Sequence, residues 1–214
     1  MVLFALVITL AQTPSPAGSC TLEGTLTLKK GDPTEAVVYL KDGPPRARPA
    51  PEKHVIKQKN FQFIPRSLVV LLNDRIDFTN DDGDKTEHSV FSRLGIDPFQ
   101  GDTNKRSTTF SRTFTREGPV HIQCNIHETM TADVLVLRSA AFTRPDANGK
   151  WRLEGLERKA YTLVVWEPNG GELRREVAAC GSGALALDLT KNAPPAALRR
   201  DGSRYRPEYE DATF

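Results

Sequence analysis

Cys124, His127 and Met130 stand at three-residue intervals in Cys124-Asn125-Ile126-His127-Glu128-Thr129-Met130. A thiolate, an imidazole and a thioether are soft to borderline ligands, and that set suits copper better than zinc, calcium or magnesium. The runs at about 119–124 and 132–137 alternate and read as strands flanking the motif. A short loop between them turns back on itself, so all three side chains can face one point. Copper with tunable redox chemistry asks for two imidazoles and a thiolate near a plane, with a weak thioether. The second imidazole must come from another strand. His88, which opens His88-Ser89-Val90-Phe91-Ser92 after a polar loop, is the candidate. The expected ligand set is therefore His88, Cys124, His127 and Met130.

Each of these residues alone has a plainer reading. A cysteine at a strand end or a single methionine is usually a buried filler, and His88 alone could sit in an exposed turn. The combination argues otherwise, because the chain has only 4 histidines and 2 methionines, one of them Met1. Zinc fits less well, since Met is a poor zinc ligand and no open water position is implied. In the strand before Cys124, Val120 and Ile122 share its side while His121 and Gln123 point outward. His121 and His54 are expected at the surface without partners.

Composition bounds the rest. The chain has 214 residues, 38% apolar and 26% charged, with a net charge of +2. That leaves no basic field for nucleic acid and no acidic tail. Pro and Gly number 15 each, no stretch shows a 3.6-residue apolar period, and short alternating runs recur between turn residues. An all-β protein is expected. Val2 to Ala11 is too short to span a bilayer, which needs about 20 residues. It fits the core of a secretory signal over 1–18, ahead of a Pro/Ser-rich stretch, although no Lys or Arg follows Met1. With Cys124 taken by the loop, Cys20 and Cys180 are left, and in an exported protein that pair suggests a disulfide. Ala17-Gly18-Ser19-Cys20 also admits a lipoprotein anchor at Cys20.

Along the chain, Cys20 to Leu28 and Ala36 to Lys41 read as strands. Residues 42–52 are a Pro-rich linker. His54 to Phe63, Ser67 to Leu72, Arg75 to Asn80, His88 to Ser92 and Ser107 to Phe114 read as further strands, with a tight turn at Asn73-Asp74 and a long surface loop over 93–105. Beyond Leu137, Asn148-Gly149 marks a hairpin turn. Strands follow at Trp151–Leu153, Tyr161–Val165, Leu173–Cys180 and Ala184–Leu189. Residues 191–214 read as a flexible tail.

Phe61-Gln62-Phe63-Ile64-Pro65, Leu68-Val69-Val70, Asp74 to Asn80, His88-Ser89-Val90-Phe91 and Gly118 to Met130 resemble, in order, the strands and ligand loop of the cupredoxins, or blue copper proteins. The two-and-two spacing around His127 is similar to the amicyanins and to methylamine-utilisation-like proteins. The resemblance covers 53–137 and implies a Greek-key β-sandwich with copper held by His88, Cys124, His127 and Met130. Ser89 stands where many cupredoxins have Asn, whose side chain ties the ligand loops together; a hydroxyl can make one of those bonds, which implies a looser surround. The loop also lacks proline. Asn148 to Leu156 with Tyr161 to Trp166, and Gly24 with Ala36 to Leu40, resemble a carboxypeptidase regulatory-like β-sandwich, except that Lys159 replaces a usual Gly. That implies a second, discontinuous domain over 20–41 and 138–190, into which the copper domain is inserted. A Cys20–Cys180 bridge would then join its first and late strands.

The expectation is an exported (periplasmic or extracellular), monomeric carrier of single electrons, with copper as cofactor and other redox proteins as partners. A non-redox copper-binding or delivery protein is the alternative. No paired carboxylates, nucleophile–base pair or open metal position argues for an enzyme.

Overall fold

A computed structural model describes residues 19–29, 31–44, 50–82, 86–103, 108–168, 171–178, 183–189 and 197–204. The expected signal segment, Cys180, residues 45–49 of the linker and most of the tail lie outside them. Among the described residues the chain is all β, apart from a 3-10 turn at Pro33–Glu35. The strands are β1 (Cys20–Leu28), β2 (Val37–Leu40), β3 (Lys53–Lys59), β4 (Gln62–Ile64), β5 (Ser67–Leu71), β6 (Arg75–Asn80), β7 (His88–Ser92) and β8 (Phe99–Thr103). They continue as β9 (Thr109–Thr113), β10 (Gly118–Gln123), β11 (Thr131–Leu137), β12 (Phe142–Thr143), β13 (Lys150–Leu156), β14 (Ala160–Glu167), β15 (Gly171–Ala178) and β16 (Leu185–Leu189).

Four sheets result, with orders β13-β1-β16, β12-β2-β14-β15, β4-β3-β6-β9 and β5-β11-β10-β7-β8. The first two are built from the chain's outer parts, the last two from the segment between. Within each pair, inward-facing residues make a core. Leu22, Leu26, Val38, Leu40, Tyr161, Leu163 and Val165 belong to one core. Ile56, Phe63, Ile76, Phe78, Val90, Ile122 and Val134 belong to the other.

The two pairs also pack on each other. All of β2 is buried, and most of β14 and β11. Because successive side chains alternate faces, Val38 and Leu40 enter the first core while Val37 and Tyr39 face the other way. Val37, Tyr39, Val164 and Trp166 meet Leu71, Leu135 and Leu137 in a third cluster. Strands apolar on both faces are those covered on both faces, so the sheets form a four-layer stack.

Turn chemistry sets the registers. Asn73 takes φ +69, the left-handed conformation its side chain tolerates. The buried carboxylate of Asp74 accepts the N–H groups of Leu71 and Glu52, both at 2.9 Å. Two departures from expectation concern strands. The alternating run from His54 to Phe63 is a hairpin, turned at Asn60 (φ +53) and Phe61 (φ +56). The loop over 93–105 contains β8, paired with β7.

Candidate metal centre

β10 and β11 are antiparallel neighbours whose last register pair is Gln123↔Thr131. The seven residues between them must close on themselves. Cys124 N–H donates to Met130 O at 3.1 Å and Met130 N–H to His127 O at 3.2 Å. Cys124 and Met130 thus stand at the neck of the loop, both fully buried in the core beneath it, with His127 half-buried toward the tip. β7 reaches the same end of the sheet by pairing with β10 through Phe91↔Gln123. Ser89 Oγ accepts the N–H of Asn125 at 2.8 Å and ties the loop to β7.

These elements place one ligand atom each from His88, Cys124 and His127 within 4.8 Å of one another. Cys124 Sγ lies 3.6 Å from His127 Nδ1. The two imidazoles meet edge to face, 5.1 Å between centroids. Met130 shares the apolar cluster of Cys124.

Charge around the thiol is arranged for a thiolate. Burial pushes the Cys124 pKa up. The His127 and His88 imidazoles and the N–H groups of Ser89 and Ile126 outweigh it and bring it to about 5. His88 moves up: burial opposes its charged form, but Cys124 and Asp82 favour it more.

His88 is held through its far nitrogen, with Nε2 2.7 Å from Asp82 Oδ2. Its Nδ1 is buried and has no hydrogen-bond partner among the described residues. An orphaned buried nitrogen beside a thiolate costs free energy unless something binds it. That is the arrangement expected of a metal ligand whose other nitrogen is fixed by a carboxylate. The donor set, two imidazoles and a thiolate with a buried methionine at hand, fits copper.

Asp82 does more than orient His88. Its carboxylate also accepts the N–H groups of Asn60 (2.8 Å) and Phe61 (3.4 Å). Burial pushes the Asp82 carboxyl up, but these N–H groups and His88 bring it below its ordinary value. The turn so held sets the Phe61 ring edge-on to His127 at 4.9 Å and to His88 at 5.9 Å. Asp82 and Phe61 carry no local signal of this role, Asp82 being one of three aspartates in the polar loop ahead of His88.

The other two histidines depart from expectation, because both have partners. His54 Nε2 lies 3.0 Å from Asp74 Oδ2 and His121 Nδ1 2.8 Å from Asp133 Oδ1. Asp133 is the cross-strand register partner of His121, and Asp74 reaches His54 across the parallel pairing of β3 with β6. Gln123, expected to point outward, is buried.

No protein-family model and no curated protein matches the chain. Among solved structures, a copper-containing nitrite reductase (NirK) from Thermus scotoductus SA-01 is 22% identical over 52% of this chain and 28% of that one, with a TM-score of 0.38. A mutant amicyanin in its oxidised form is 20% identical over 46% of this chain and 97% of that one, with a TM-score of 0.36. A reduced amicyanin mutant is 22% identical over 46% and 97%, with a TM-score of 0.36. The chain thus spans little more than a quarter of the reductase. These likenesses are distant.

Proposed function

We propose that this is an exported copper protein that carries single electrons, with His88, Cys124, His127 and Met130 holding the metal. The buried Nδ1 of His88, without a hydrogen-bond partner among the described residues and set beside the Cys124 sulfur and the His127 ring, carries this reading. Bound copper would supply the one-electron redox couple. The chain's part is to keep the donors in place. Cys124 and Met130 are fixed at the neck of a hydrogen-bonded loop, His88 is fixed by Asp82, and the buried cluster around the sulfur keeps water out. A rigid donor set changes little when the charge on the metal changes, which suits electron transfer. The unit formed by β3–β11 carries the centre, other redox proteins are its partners, and Cys20 pairs with Cys180.

Copper(II) added to the purified protein is expected to give an intense visible thiolate charge-transfer band, absent in Cys124→Ser. A colourless copper(II) complex of the native protein overturns the carrier reading.

One observation favours a second reading, that of a copper-holding or delivery protein. Phe61 packs edge-on against the ring of His127, the half-buried one of the expected donors, and so stands between that ring and a partner. Reversible voltammetry supports the carrier; redox silence with tight copper(I) binding supports holding.

A further inference from the structure

The ligand loop is held from two directions. Ser89 holds the backbone of Asn125 from within. From outside, the Asn125 side-chain oxygen accepts the backbone N–H of Arg200 at 2.8 Å, from a segment 75 residues further along the chain.

That segment is a built turn. Arg199 N–H donates to Ser203 O and Gly202 N–H to Arg199 O, both at 2.9 Å. The Asp201 carboxylate accepts the N–H and the hydroxyl of Ser203 at 2.8 and 2.6 Å. The turn is docked by a second contact, in which the Arg93 guanidinium donates to Arg199 O at 3.2 Å. Gly202 takes φ +90, and a Cβ there would come within 3.1 and 3.2 Å of the two terminal nitrogens of Arg93. The conformation calls for glycine, and any side chain there would press on the Arg93 guanidinium.

The anchors are telling. Arg93 directly follows β7, the strand that opens with His88. Asn125 lies between Cys124 and His127. The turn therefore bridges the two segments that supply the donors. We infer that residues 197–204 are a positioning strap for the metal centre: through Arg93 and Asn125 they hold the ligand loop against the end of β7. His127 thereby keeps its place relative to His88 and Cys124 before any metal arrives. What the strap positions rests on the copper reading; the strap itself is a property of the metal-free chain.

The test is amide hydrogen exchange on the full-length, metal-free protein. Asn125→Ala removes the acceptor in the loop but leaves the backbone bond to Ser89. Gly202→Val displaces Arg93 from a site far along the chain. Each is expected to speed exchange over residues 125–130 about threefold or more, the effect of losing one hydrogen bond of ordinary net strength. Exchange in β1 stays as in the native protein. Asn125→Asp keeps an acceptor and is expected to restore protection. In the copper-loaded protein the Ala and Val variants are expected to shift the thiolate band and the reduction potential, which a merely structural contact would leave unmoved. Should Gly202→Val fail to fold, Arg93→Ala removes the same contact from the other side. Loop exchange unchanged in both Asn125→Ala and the Gly202 or Arg93 variant overturns the strap. A native protein that stays colourless with copper, while loop exchange still responds, overturns the copper reading and upholds the strap.

Discussion

Cys124 offers a test that needs no metal. Its pKa falls from 9.0 to about 5 in the fold, after burial has been outweighed by two imidazoles and two backbone N–H groups. The folded pKa is depressed, so the stability this group contributes is fully present above about pH 9 and is lost as pH falls through about 5. The ultraviolet thiolate absorbance of the metal-free protein should titrate near pH 5, and the stability difference from Cys124→Ser should grow between pH 5 and 9 in denaturant titrations. Asp82→Ala should cost about 1–3 kcal/mol in urea unfolding, because it strips a buried ring nitrogen and two backbone N–H groups of their acceptor. The convergence of His88, Cys124 and His127 was readable because two of them share one short loop and the third opens a strand. Asp82 and Phe61 were not, since the contacts that matter join residues 21 apart through a turn that propensity does not announce. The partners of His54 and His121 escaped for a similar reason: each carboxylate comes from a different strand or turn.

At the scale of elements, Asp77 pins three strands of one sheet. From β6 its carboxylate meets Lys53 of β3 at 2.8 Å, Arg75 at 2.6 Å and Ser111 of β9 at 2.7 Å. Burial pushes Asp77 up, but these partners bring it from 3.8 to about 2. The sign follows as before for a depressed carboxylate: the contribution is complete above pH 3.8 and is lost as pH falls toward about 2. Asp77→Asn should flatten the acid limb of the stability curve in that window, measured by denaturant midpoint against pH. Strands with clean alternation, such as Cys20–Leu28 and Arg75–Asn80, agree residue for residue with their reading from composition. β8 did not show itself because it carries Gly101, a residue that usually marks loops. Here the missing side chain leaves room for the Phe110 ring, which a Cβ would meet at 2.3 Å. The Asn60–Phe61 turn was hidden because phenylalanine rarely takes a left-handed conformation; Asp82 holds it there.

Across the whole molecule, the third apolar cluster couples the two pairs of sheets. Leu135, fully buried on the face of β11 turned away from the cluster that holds Cys124 and Met130, packs there with Trp166 of β14. Leu135→Ala should lower stability by about 2–5 kcal/mol, and tryptophan fluorescence and loop exchange should report the same unfolding midpoint if the stack melts as one body. Doubly apolar strands were visible as runs such as Val37-Val38-Tyr39-Leu40, but which sheet would cover each face depends on contacts no local pattern carries. The pairing of β1 has a further consequence. Its neighbours are β13 and β16, so a ribosome releases the first strand long before Lys150 and Leu185 exist to meet it. Every strand of the two sheets that bring His88, Cys124 and His127 together is complete by Leu137. Order of synthesis and order of assembly therefore differ: the two inner sheets can close while the amino-terminal strands still wait for their neighbours, and the contact of Arg200 with Asn125 can form only at the end.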